Sequence, residues 1–466
     1  MRKTLPLLLA AAALAGCSTS AADGDAVKIV VGYQSKTINT VTAGTLLRSQ
    51  GYFEKRLAEL GKRTGKKYTV EWQDYDTGAP ITAQMIAEKI DIGSMGDYPL
   101  LINGSRAQKL GDKGTKIVSV TGYNLRGGLN SVIVPTNSTV RTLADVKGKT
   151  VSTSVGSAAH GLLVQALQAA GIDPKTGVTV ENQQPAVGAS ALQAGNVAAL
   201  SQFVAWPGAL VFAKQAKLLY DGATLNKPTL HGVVVRKPFA AAQPDVLTEF
   251  LGAQLDATKY VHENPLAAAK SVAEATGLPA EVVYLYNGPN GVSTFDVTLK
   301  EPLRAALRDD VPFLKSIGNI DELDTVKFID DAPLRAAYGP DYDKAAASTV
   351  NQAKITGTDP ACGVAVDDPA TAGETWVDGE DKTQPAANPR CLLKFVKQQQ
   401  AAGKKIRVAY VPDAVTGTRW FAEHAVWVND PAAGPVPFAA PATADEYVAK
   451  HPGSAVVPYA DAVAAS

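Results

Sequence analysis

The chain has 466 residues, 46% apolar and 19% charged, with 45 basic and 45 acidic side chains. That balance supports a large buried core and excludes a disordered chain. A formal net charge of zero leaves no broad basic surface for a nucleic-acid backbone, and the length predicts roughly three domain-sized units.

The first element reads as an export signal. Arg2 and Lys3 form a positive start, and the run from Leu5 to Leu14 is apolar. At about ten residues it is too short to span a bilayer. It ends in Leu14-Ala15-Gly16-Cys17, which resembles a bacterial lipobox. Small residues before the cysteine admit signal peptidase, and the Cys17 thiol is then the lipid acceptor. The expectation is a signal over residues 1–17, a small polar tether over 18–26, and a protein held by lipid on the extracytoplasmic face of the cell membrane.

From Val27 to about Asp343, strand-like and helix-like stretches alternate. Val27 to Gly32 is β-rich, Thr42 to Leu60 is amphipathic, and Tyr68 to Trp72 is a strand followed by a helix from Pro80 to Lys89. Asp91 to Met95, Lys116 to Val120 and Ser131 to Val134 continue the strands. A second unit is expected near Thr142, with a strand at Val151, a helix from His160 to Ala170, a strand at Val178 to Glu181, and a helix from Ala189 to Gly195. Ala198 to Gln202 and His231 to Val235 are further strands, and Pro244 to Leu314 is mostly helical. The alternation predicts an α/β fold with parallel strands, built as a two-lobed domain over residues 27–345 with its ligand between the lobes.

Four stretches carry a resemblance across about 300 residues. They are Gly32-Tyr-Gln-Ser-Lys36; Asp91-Ile-Gly-Ser-Met-Gly-Asp97; Leu143 to Val151 running into Ser154-Val-Gly-Ser-Ala-Ala-His160; and Ala191-Leu-Gln-Ala-Gly195 followed by Ala205-Trp206-Pro207. In this order they resemble the nitrate/sulfonate/taurine-type periplasmic binding proteins. The resemblance implies a type II clamp, a small-molecule solute, an ABC permease and ATPase as partners, a monomer, and no catalysis. The same fold serves pyrimidine-synthesis enzymes with a cysteine-rich iron site. The lobes here contain no cysteine after Cys17, so that chemistry lacks its ligands.

Chemistry on the motif loops points the same way. Ser154, Gly156 and Ser157 sit where a strand meets a helix start, whose free N–H groups favour an anion. Ser94, Gly96 and Asp97 form a second such turn, Gln34 and Ser35 add neutral donors, and Trp206 offers a flat wall. Each has a plainer reading: Ser157 as a helix cap, Asp97 as an N-cap, His160 and Trp206 as packing residues. The nearest basic side chains are Lys36 and Arg126, so the expected solute is a small oxyanion-bearing organic molecule.

After an Ala/Ser/Thr-rich linker over 346–357 the chain continues as a small α+β domain over 358–466, with Trp376, Trp420 and Trp427. Cys362-Gly-Val-Ala-Val, Cys391-Leu-Leu, Thr416 to Val428, Pro437-Phe438 and Gly453 to Tyr459 resemble NosL-type copper-delivery lipoproteins. That resemblance implies copper delivery or sensing as the alternative to import, with Cys362, Cys391 and His424 as the candidate soft or borderline ligands for Cu(I). The family's methionine position is Val364, and no methionine lies in this domain, which weakens a soft-metal site. A Cys362–Cys391 disulfide is the competing reading, suited to an oxidising compartment.

Overall fold

The computed structural model describes residues 26–466. The apolar run and Cys17 lie outside the described residues. The first sheet opens with β1 (Val27–Tyr33), β2 (Tyr68–Asp74), β3 (Ile92–Gly96) and β4 (Thr115–Asn124). β1 pairs in parallel with β2 and β3. The chain then leaves for a second sheet of β5 (Asn130–Pro135), β6 (Thr150–Thr153), β7 (Thr179–Asn182), β8 (Ala199–Phe203) and β9 (Ala216–Asp221). It returns as β10 (Thr229–Arg236), which inserts between β3 and β4, and adds β11 (Thr294–Phe295) at the edge. The first sheet has the order β11-β4-β10-β3-β1-β2 and the second β7-β6-β8-β5-β9. Two connections, 125–129 and 222–228, join the lobes.

Three expectations need correction. The sheets are mixed, not parallel: β10 runs antiparallel to β3 and β4, and β5 antiparallel to β8 and β9. Both strands arrive by crossing between lobes, so each enters its new sheet from the opposite end. The second lobe therefore begins at Asn130 rather than near Thr142. The stretch from Thr42 to Leu60 is not one helix but a 3-10 turn (Ile38–Ala43) and two helices (Thr45–Ser49, Tyr52–Thr64). Gly44 breaks it because a Cβ there would lie 2.9 Å from the Tyr33 ring, and Gly51 because its φ is +64°, a conformation that glycine adopts without strain.

The helices that follow β10 pack on the first lobe. Phe53 meets Phe250 edge to face at 5.2 Å, and Arg56 reaches both Glu249 and Asp256. The C-terminal domain holds β12 (Gly357–Thr358), β13 (Ala365–Val366), β14 (Gly373–Val377), β15 (Gln384–Ala386), β16 (Ile406–Pro412), β17 (Arg419–Phe421), β18 (Val426–Asp430), β19 (Gly434–Phe438) and β20 (Ala455–Val457). The Pro389–Ala401 helix packs on β14, β15 and β16 and buries Leu392, Leu393 and Val396. Cys362 and Cys391 form a disulfide. The domain is not set apart from the lobes: Trp376, Tyr410, Trp420 and Phe421 join an apolar core continuous with Ile29 and Val31 of the first lobe and Val204 and Leu210 of the second.

Candidate ligand-binding cleft

In an open α/β sheet, ligands sit beyond the carboxyl ends of the strands. Here those ends face each other across the two lobes. Ala205 N, just after β8, donates to Lys36 O, just after β1, at 3.2 Å. Tyr98, on the Asp97–Gln108 helix, packs on Gly161 of the Ala158–Ala169 helix and accepts from Gln165 Nε2 at 2.7 Å. The lobes are closed onto one another.

The feature that marks a site is a set of buried side-chain oxygens without hydrogen-bond partners. Of fourteen buried polar atoms in this condition among the described residues, eleven belong to residues 27–345, and ten of these are oxygens. Seven come from the first lobe: Asn39, Thr42, Ser94, Thr121, Tyr123, Asn287 and Ser293. Three come from the second: Asn130, Thr153 and Gln202. Half of them stand at the facing strand ends. Thr121 and Tyr123 finish β4, Thr153 ends β6, Gln202 lies one residue from the end of β8, and Asn130 pairs with Phe203 at the same end. An unsatisfied buried polar group costs about 1–3 kcal/mol, so such a concentration is the expected form of a surface built for a polar ligand.

Several of these residues converge. A Cβ on Gly122 would lie 2.4 Å from Ser293 Oγ and 3.2 Å from Asn39 Cβ. Asn39 Nδ2 lies 2.5 Å from His231 Nδ1. A Cβ on Gly96 would lie 3.0 Å from His231 Nε2. Glycine at 96 and 122 therefore keeps the floor of the first lobe open. Burial pushes the His231 imidazole down to about 3, so it is neutral at ordinary pH. With Asn39 donating to Nδ1, its Nε2 carries the proton and points toward Gly96. Lys36 stands at the rim, its ammonium 5.6 Å from the Trp206 ring centroid.

The expected site residues divide. Ser94 and Gly96 belong to this floor. Gln34 is buried and donates through Nε2 to Ser94 O at 3.2 Å, holding the loop after β1 against β3. Ser35 lies half-buried with its N–H on Asp74. Trp206 is half-buried and packs on the main core.

The Asp97 carboxylate is engaged within the protein. Its Oδ2 accepts from Thr229 Oγ1 and Leu230 N at 2.6 and 3.1 Å, and its Oδ1 from Tyr98 N. It pins a helix start to β10. The 154–157 turn is also spent internally: Val155 N bonds Asn182, Gly156 N bonds His160 Nδ1, Ser157 caps the helix through His160 N, and Ser154 bonds Gln183 O and Gln202. The expected anion donors at Ser154, Gly156 and Ser157 turn inward because nearby side chains compete for them. Arg126 is exposed in the 125–129 connection. Sequence reasoning missed Asn39, Thr121, Thr153, Gln202, His231 and Ser293; their one signal was small neutral polar residues at strand ends beside glycine.

In the C-terminal domain, Asp359 groups with Cys362 and Cys391, but a metal does not fit this arrangement. Both sulfurs are bonded to each other, and the Asp359 carboxylate accepts from Ala361, Cys362 and Ala387 N–H groups. His424 is outside the group and lies against Phe421.

Residues 101–268 match a family model described as NMT1/THI5 like. The chain is 26% identical over 303 residues to the taurine-binding periplasmic protein of Escherichia coli (strain K12), covering 62% of this chain and 90% of that one. The alkanesulfonate-binding protein SsuA from Xanthomonas axonopodis pv. citri bound to MOPS superposes with a TM-score of 0.55 at 22% identity, covering 66% of this chain and 99% of that one. The periplasmic nitrate-binding protein NrtA from Synechocystis PCC 6803 superposes with a TM-score of 0.53 at 12% identity, covering 72% and 94%. These likenesses establish the two-lobed periplasmic-binding-protein clamp.

Proposed function

We propose that this chain, an NMT1/THI5-like protein over residues 101–268 and a homologue of the taurine-binding protein, is the solute-binding component of an ABC importer. Its solute on this reading is a small oxyanion-bearing molecule of the sulfonate, taurine or nitrate class. The observation that carries the reading is the set of ten unpartnered oxygens contributed by both lobes. Six are hydroxyls (Thr42, Ser94, Thr121, Tyr123, Thr153, Ser293), which donate to sulfonate oxygens. Four are amide oxygens (Asn39, Asn130, Gln202, Asn287), which accept from an ammonium. That mixture suits a zwitterionic aminosulfonate such as taurine better than nitrate, which has no hydrogen to donate.

Lipid attachment at Cys17, an extracytoplasmic position, a monomeric state and a permease with its ATPase belong to the same proposal, supported by the lipobox and by the relatives' names. Isothermal titration with taurine, ethanesulfonate and nitrate tests the solute. Taurine binding tightest supports the reading; no heat with any of the three ends it. The Cu(I) alternative has only the Asp359–Cys362–Cys391 grouping behind it, with both thiols oxidised. Copper titration of the reduced protein, followed by a thiolate charge-transfer band, decides it.

A further inference from the structure

The C-terminal domain is seated on both lobes at once. On the second lobe, Thr416 and Thr418 donate through their hydroxyls to Asp221 Oδ2 at 2.8 and 2.6 Å. Asp221 is the last residue of β9, and its Oδ1 accepts from Ala223 N at 3.0 Å. The contact therefore falls on the 222–228 connection between the lobes, and it is buried. Three residues beyond Thr418, the Phe421 ring lies 5.4 Å from that of Phe212.

On the first lobe the same segment makes a different set of bonds. Tyr410 Oη donates to Glu281 O at 2.8 Å, Arg407 pairs with Glu281, Arg419 donates to Pro289 O, and Tyr284 Oη donates to Glu374 Oε1 at 3.2 Å. The helix Ala280–Asn287 is fixed to the first lobe through Asn287, which donates to Ile38 O. Strand β17 thus carries Arg419 on one lobe and Phe421 on the other.

We infer that the C-terminal domain is a strap that holds the clamp closed. A rotation about the two connections would carry Asp221 and Phe212 away from Glu281 and Pro289. The domain cannot follow both. It remains with the first lobe, because its own buried Arg419–Glu374 pair is seated on Tyr284 of that lobe, whose hydroxyl donates to Glu374 and whose ring faces the Arg419 guanidinium. Its outer contacts to the second lobe, Arg141–Asp445 and Lys214–Glu423, are exposed and form the weaker part of that attachment. Solute entry then requires the Asp221 hydroxyl pair to part. The inference rests on the clamp fold and not on the identity of the solute.

The test is a distance measurement between nitroxide labels on Lys66→Cys and Lys175→Cys, one per lobe, in the full chain carrying Cys17→Ser and without added solute. The parent should show one short distance. Thr416→Val with Thr418→Val should add a longer population. Arg141→Ala with Lys214→Ala, which touches only exposed side chains, should add a smaller one and covers the case in which the threonine variant does not fold. A parent that already populates the longer distance overturns the inference. So does an unchanged distribution in the Arg141/Lys214 variant together with no change, or no folding, in the threonine variant.

Discussion

The Tyr98 ring occupies the space that any side chain at position 161 would need: a Cβ on Gly161 would lie 1.7 Å from Tyr98 Cε2. The two residues belong to different lobes, so this is a contact of the closed state. Gly161→Ala should leave each lobe folded and prevent full closure. Circular dichroism should be unchanged, while solute affinity falls at least about tenfold, equivalent to ~1.4 kcal/mol. Unchanged affinity would show that closure does not bring Tyr98 onto this helix.

A titratable pair lies beside the lobe connections. Asp310 is pushed up to about 8, first by burial, then by Asp97, with Lys227 and the Tyr98 hydroxyl opposing and Asp309 adding to the rise. Its folded value stands above the ordinary 3.8, so the folded protein holds the proton more tightly than the unfolded chain. The resulting stability is fully present below about pH 4 and is lost as pH rises through about 8. Urea midpoints should therefore decline between pH 5 and pH 9 more steeply in the parent than in Asp310→Asn. Parallel pH profiles would refute the assignment.

The disulfide closes a loop with a sequence separation of 29 residues. Chain-entropy arguments give such a crosslink about 3.5 kcal/mol. Cys362→Ser with Cys391→Ser should lower the denaturant midpoint of the C-terminal domain. Added Cu(I) should not raise the midpoint of the parent protein after its disulfide is reduced, if the pair is purely structural. A copper-dependent recovery would favour the metal reading instead.

Ser94 separates binding from stability. Its hydroxyl is buried without a partner, so Ser94→Ala removes an unsatisfied group and should leave the melting temperature of the solute-free protein equal or higher. The same change should weaken solute binding by roughly tenfold or more, the worth of about one hydrogen bond to a charged group. Thr121→Val should behave alike in calorimetry and thermal melts. A loss of stability without loss of affinity would place both hydroxyls outside the site.

Much of the clamp was legible from local pattern. The strand at Lys116 to Val120 and the helix from His160 fall where period and glycine placed them, while Ser94, expected in a turn, lies within the strand Ile92–Gly96. The strand Ala216–Asp221 escaped notice because its sequence, Ala-Lys-Leu-Leu-Tyr-Asp, suits a helix as well as a strand. The 154–157 turn misled for another reason. A helix start offers free N–H groups only if nothing nearby takes them, and Asn182, from a different strand, does.

The sequence by itself determined the alternation of elements and set two cysteines alone in the C-terminal domain, because these follow from backbone preference and residue order. Only the tertiary structure decided that β5 and β10 enter their sheets reversed, that Asn39 meets His231 across 192 positions, and that Thr418 meets Asp221 across 197. Hydrogen bonds over such separations depend on how the chain crosses between lobes, and residue order along the chain carries no local trace of that path.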